Sequence, residues 1–163
     1  PFAGIAFLWF IGVVRDRIGA LEDRFFSTVY LGSGLLYLAM MFVSAALAGG
    51  LLSTYAIIPA QLIDSGIYTF GRAIMWQISN TYAIRMAGVF MISLGTIWIR
   101  THTKPRWLVF LTYGLALVLL VSISYSLWVT LIFPGWVLII SVYILALNLR
   151  SSGTEDGLAI TLE

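Results

Sequence analysis

The chain has 163 residues, of which 61% are apolar and 10% charged, and its formal net charge is +2. Soluble domains carry about 45–50% apolar and about 25% charged residues, so an ordinary soluble domain is excluded, and so small a net charge offers no basic surface for nucleic acid. Cysteine is absent, which removes disulfides, thiolate chemistry and Cys-based zinc sites.

The apolar residues fall in long blocks, the arrangement of a membrane protein rather than of a soluble one with a large core. A spanning helix needs roughly 20 apolar residues at ~1.5 Å each. The first block, Phe2 to Val14, covers only about two-thirds of a ~30 Å hydrocarbon core. Because the chain opens on Pro1 with no Met before it, this block is expected to be the second half of a spanning helix that begins upstream. It does not read as a secretory signal, since no basic residue precedes it and Arg15 and Arg17 follow it in place of a small-residue cleavage site.

The second block runs from Phe25 to Leu52. Residues 53–80 come next and are the hardest to place, because Tyr55 to Trp76 is apolar enough for a span yet holds Pro59, Asp64 and Arg72. A charge near the bilayer centre costs at least ~2.5 kcal/mol. The expectation is therefore an outer loop to about Ile63, then an interfacial or re-entrant helix running into the third span, Thr81 to Ile99. The fourth span is expected from Trp107 to Val129 and the fifth from Leu131 to Leu149. Phe133, Pro134, Gly135 and Trp136 read as a tight turn between them, flanked by the interfacial aromatics Trp128 and Trp136. Ser151 to Glu163 is polar and reads as a disordered tail. No internal repeat is visible.

The sequence thus predicts an all-α, polytopic integral membrane bundle of about five transmembrane helices. With five spans, Arg15, Arg17, Arg24, Arg100, Lys104, Arg106 and Arg150 fall on one side and Arg72 and Arg85 on the other. The positive-inside rule assigns the first side, and with it the C-terminus, to the cytoplasm. A sixth span through 53–80 would destroy that asymmetry.

Between Arg15 and Arg24 six charges of both signs crowd a membrane exit. Asp16, Arg17 and Arg24 form the candidate cytoplasmic loop site, which a solvated, salt-bridged turn accounts for. Gly12, Asp16, Arg17 and Gly19 resemble the start of the cytoplasmic loop motif of the major facilitator superfamily, Gly-x-x-x-Asp-Arg-x-Gly. The resemblance implies a charge-relay latch carried by Asp16 and Arg17. It covers eight positions, lacks the basic pair where Ala20 and Leu21 stand, and sits in a chain of five expected spans against the family's twelve.

Asp64, Arg72 and Arg85 are the candidate outer-face cluster, with Gln77 and Asn80 between them, because ionisable residues at a membrane edge are functional candidates. Arg72 and Arg85 stand thirteen residues apart and would not share a face of one regular helix. Arg85 either binds an anionic group or snorkels to the surface. Arg100, Lys104 and Arg106 are candidate contacts for anionic lipid headgroups. His102 has no second histidine to share a metal with and reads as a solvated loop residue.

Ala45 with Gly49, Ala46 with Gly50 and Ala83 with Ala87 have the four-residue spacing of close helix packing, within the chain or between copies. No nucleophile, metal-ligand or phosphate-binding motif is present, and the spans hold no pair of carboxylates. The expected function is a non-enzymatic subunit or assembly factor of a membrane complex, without cofactor, whose partners are the lipid bilayer and another membrane protein or further copies of the chain. The alternatives are a small oligomeric transporter or channel, and a membrane enzyme acting on lipid. A transporter would have to use hydroxyls such as Ser33, Ser93, Thr112 and Ser122, because the middle of the spans holds no charge.

Overall fold

The computed structural model describes residues 2–18, 24–59, 66–101, 106–121 and 127–160, and these are almost entirely helical. Helix α1 spans Phe2–Ile18 and α2 spans Arg24–Ile57. A third rod is built from α3 (Ile67–Gln77), a π-helical segment (Ile78–Ala83) and α4 (Ile84–Thr101), joined without a break. Helix α5 spans Arg106–Val121 and α6 spans Leu127–Ile160. Three stretches are long and apolar enough to cross a membrane: Phe25–Ile57, Ile67–Arg100 and Val129–Ala146. Helix α5 is apolar but shorter, and α1 has 17 residues.

Several boundaries differ from the sequence reading. The second helix continues past Leu52 to Ile57, so the first residues of the expected outer loop, from Ser53 on, are helical, and helix is described again from Ile67; 60–65, with Asp64, lie outside the described residues. The turn expected at Phe133 to Trp136 is instead an unbroken part of α6, with Pro134 inside the helix. A Pro-Gly pair breaks a helix in water, where freed backbone groups find other partners. Among packed apolar helices such a break leaves backbone groups with nothing to bond, and a proline inside the helix is the lesser cost. Helix α5, expected as the fourth span to Val129, is described as far as Val121; residues 122–126 lie outside the described residues, and Leu127–Val129 belong to α6. Helix α6 also reaches Ile160, through most of the segment expected as a disordered tail.

The helices pack in alternating directions. Along the α2 interface Phe26 meets Arg100, Tyr30 stacks on Phe90 and Ser44 reaches Met75. Rising numbers on one helix meet falling numbers on the other, so α2 and the α3–α4 rod are antiparallel along their whole length. Gly88 approaches Leu120 and Gly95 approaches Tyr113, which makes α4 and α5 antiparallel too. Helix α6 meets the rod in the same order, Thr130 at Asn80, Phe133 at Phe90 and Trp136 at Trp98, and so runs in its sense.

The centre is aromatic. Phe90, fully buried, touches Phe7, Tyr30, Phe133 and Trp136. Trp136 in turn touches Phe10 and Trp98. Such rings supply dispersion contact and edge-to-face attraction worth about 0.5–1.5 kcal/mol per pair, which matters where the surroundings are as apolar as the core and burial alone gives no drive. Phe133 and Trp136 fall three residues apart on one face of α6, and both point into this cluster rather than to a membrane edge.

Candidate functional site

Hydroxyls within the bundle bond to carbonyls of their own helices, and some bond across helices as well. The Thr112 hydroxyl donates to its own helix at the Leu108 carbonyl, 2.9 Å away, and accepts from Trp136 Nε1 at 3.0 Å. Thr96 repeats the pattern. Its hydroxyl donates to the Ile92 carbonyl at 2.9 Å, so the Tyr113 hydroxyl, 2.7 Å distant, is the donor between helices. Ser33 and Ser93 are buried and donate to carbonyls on their own helices, Ser33 to Val29 at 2.7 Å and Ser93 to Val89 at 2.9 Å. Interhelical bonds of this kind contribute about 0.6 kcal/mol on average in a membrane. Tyr113→Phe is therefore expected to lower unfolding stability in detergent by about that amount, while Thr96→Val, which also removes the bond within the helix, should cost no more than Tyr113→Phe if the link between helices is what counts.

A polar cluster that joins three rods lies at the π-helical segment. A π turn displaces the i→i+4 ladder by a residue and leaves carbonyls short of a donor. Here side chains make good the deficit. Ser79 Oγ donates to the Met75 carbonyl at 2.7 Å, Asn80 Nδ2 donates to the Trp76 carbonyl at 3.3 Å, and Ser44 Oγ on α2 reaches the Met75 carbonyl at 3.3 Å. The Ile78 N–H is shared between the Ile74 and Met75 carbonyls. From α6, Thr130 Oγ1 donates to Asn80 Oδ1 at 3.2 Å. Thr130 is also the residue whose carbonyl loses its in-helix donor to Pro134, four positions on. Two backbone irregularities, one on each rod, thus meet across a single hydrogen bond.

The residues singled out in the sequence are placed differently. Arg72 is exposed on α3 and Arg85 is exposed at the start of α4, about 20 Å further along the same rod, so the two do not form one cluster. Asp64 lies outside the described residues. Arg15 and Asp16 are exposed near the end of α1, whereas the side chains of Arg17 and Arg24 lie outside what is described. The Arg100 guanidinium sits 4.8 Å from the centroid of the Phe26 ring, a cation–π contact at the end of the bundle. Arg106 is exposed at the start of α5, and Lys104 and His102 lie outside the described residues.

Asn80 had been grouped with the outer charges. Ser44, Ser79 and Thr130 carried no mark in the sequence, although a run of Gln77, Ser79, Asn80 and Thr81 inside an apolar helix is itself a sign of carbonyls that need donors. Among the described residues no group of three or more His, Asp or Glu could hold a metal ion. The small pairs divide: Ala83 and Ala87 are buried in the bundle, while Ala45, Ala46, Gly49 and Gly50 are turned away from it.

No family model matches this chain, and no curated protein or solved structure matches it either. The likeness to the major facilitator loop motif at positions 12–19 therefore rests on Gly12, Asp16, Arg17 and Gly19 alone.

Proposed function

We propose that the chain crosses the bilayer five times, with its C-terminus in the cytoplasm, and serves as a non-enzymatic subunit or assembly factor of a membrane complex. The observation that carries this reading is the filled interior. Of the hydroxyls a conduction path would need, Ser33, Ser93 and Thr112 are buried and bonded to their own helices, and Ser122 lies outside the described residues. Phe7, Phe90, Phe133 and Trp136 close the space between the rods. Such packing among the described residues supports a reading without a file of water or solute through a single copy.

The alternating directions of the five rods support five crossings. They bring the C-terminal ends of α1 and α4 and the N-terminal ends of α2 and α5 together, and with them Arg15, Arg100 and Arg106, which is the asymmetry the positive-inside rule uses. Large apolar side chains face outward on every rod, among them Trp9, Leu52, Phe70, Phe110 and Leu138. Lipid and neighbouring chains would cover them.

A second reading, a small oligomeric transporter, draws on one observation, the coincidence of a π segment and an intrahelical proline at a polar contact. Irregular helices of this sort line binding sites in many transporters. Native mass spectrometry of the full chain, extracted from its own host in mild detergent, separates the two. Foreign chains in fixed stoichiometry are the expected result. A pure homo-oligomer would overturn the subunit reading and leave flux into liposomes as the property to measure.

A further inference from the structure

The rods are not equally held. Helix α4 is sandwiched between α2 and α5, and Ala87, Phe90, Met91 and Leu94 on it are fully buried. Helix α3, at the other end of the same rod, has no buried residue at all. It rests on α2 through a close approach of Gly71 to Leu51, and through the Ser44 bond to the Met75 carbonyl. It begins at Gly66, whose φ of 72° only glycine adopts without strain. A helix with no buried residue opens at lower free energy than its well-buried neighbours.

Where α3 meets α4 the backbone is already out of regular α geometry for six residues. A π segment is a place where a helix bends or changes pitch without losing a full set of α bonds. Two bonds that fix it to other helices, Thr130 to Asn80 at 3.2 Å and Ser44 to Met75 at 3.3 Å, are both at the long end of the hydrogen-bonding range.

We propose that the π-helical segment Ile78–Ala83 is a joint on which α3 swings away from α2 while α4 stays fixed in the bundle, with the Thr130–Asn80 and Ser44–Met75 hydrogen bonds as its catch. The swing uncovers the α2 face around Ser44 and Leu51 and leaves the aromatic centre unchanged. It belongs equally to a subunit that admits a partner helix there and to a transporter, so it stands apart from the choice between them.

The absence of cysteine allows spin labels to be placed at will on the full chain in lipid nanodiscs. One labelled pair, Thr69→Cys with Val118→Cys, reports α3 against the bundle. A reference pair, Leu36→Cys with Val118→Cys, reports two rods within it, and all three positions are exposed. By pulsed dipolar spectroscopy the α3 pair is expected to give a distance distribution about twofold wider than the reference, or two populations. Thr130→Val should widen the α3 distribution further and leave the reference as it was. An α3 distribution as narrow as the reference overturns the joint, and this comparison needs no variant at the joint itself. Equal broadening of both pairs by Thr130→Val overturns the catch.

Discussion

Trp136→Ala is expected to lower the unfolding free energy by on the order of 3 kcal/mol, the largest effect of any single truncation in the chain. Trp136 is 1% exposed and sits at the meeting of α1, α4, α5 and α6. Its ring lies against Phe10, Phe90, Trp98 and Phe133, with centroids between 6.0 and 6.4 Å away. Truncation opens a cavity that four large rings border, and rigid rings relax into a void poorly. In a membrane the unfolded helix leaves Trp136 in lipid, so little of the loss is transfer free energy; what disappears is dispersion contact between packed surfaces.

Two further variants divide that loss. Trp136→Phe keeps most of the ring contact and removes the bond to Thr112, so it should cost about 0.6 kcal/mol and no more than ~1.7. Trp9→Ala removes an equally large side chain that is 72% exposed and should change little. Helix content followed through a titration of mixed micelles with a denaturing detergent gives all three midpoints. If Trp9→Ala and Trp136→Ala shift the midpoint alike, Trp136 does not hold the bundle together.

That the chain is all-helical, with helices long and apolar enough to cross a membrane, was legible because it depends on a crude property, long apolar blocks free of charge, which survives any error in register. Helix boundaries depended on chemistry that changes with solvent. Phe133-Pro134-Gly135-Trp136 is a turn by every rule learned in water, yet in α6 it is the stretch that carries two of the core aromatics. The pairing of Trp136 with Thr112 joins residues 24 apart on different helices and has no periodic signature. The π segment was half visible. Gln77 and Asn80 stood out as polar, but beside Arg72 and Arg85 they read as part of an ionic cluster, whereas Asn80 and its unmarked neighbour Ser79 supply hydrogen bonds to their own backbone. Uncharged donors beside freed carbonyls satisfy the helix at far lower cost than ions in the same place.

Two glycines on one turn of α2 test whether close packing of backbones holds the bundle. A side chain at Gly34 would begin 2.9 Å from Ile11 Cδ1 and 2.9 Å from Phe90 Cε2, whereas one at Gly32 would meet nothing within 4 Å. Both positions are helical, so replacing either glycine by leucine gains about 0.8–1 kcal/mol of helix propensity. At Gly32 that gain should appear as a small stabilisation. At Gly34 it is opposed by overpacking, typically about 1–3 kcal/mol and occasionally more, because the new side chain has to part α1 from α2 and displace Phe90, which itself touches four other rings. Gly34→Leu should therefore be destabilising where Gly32→Leu is not, in the same micelle titration. Equal shifts of the same sign would mean that α1 and α4 do not close on Gly34, and the aromatic centre built on Phe90 would have to be redrawn.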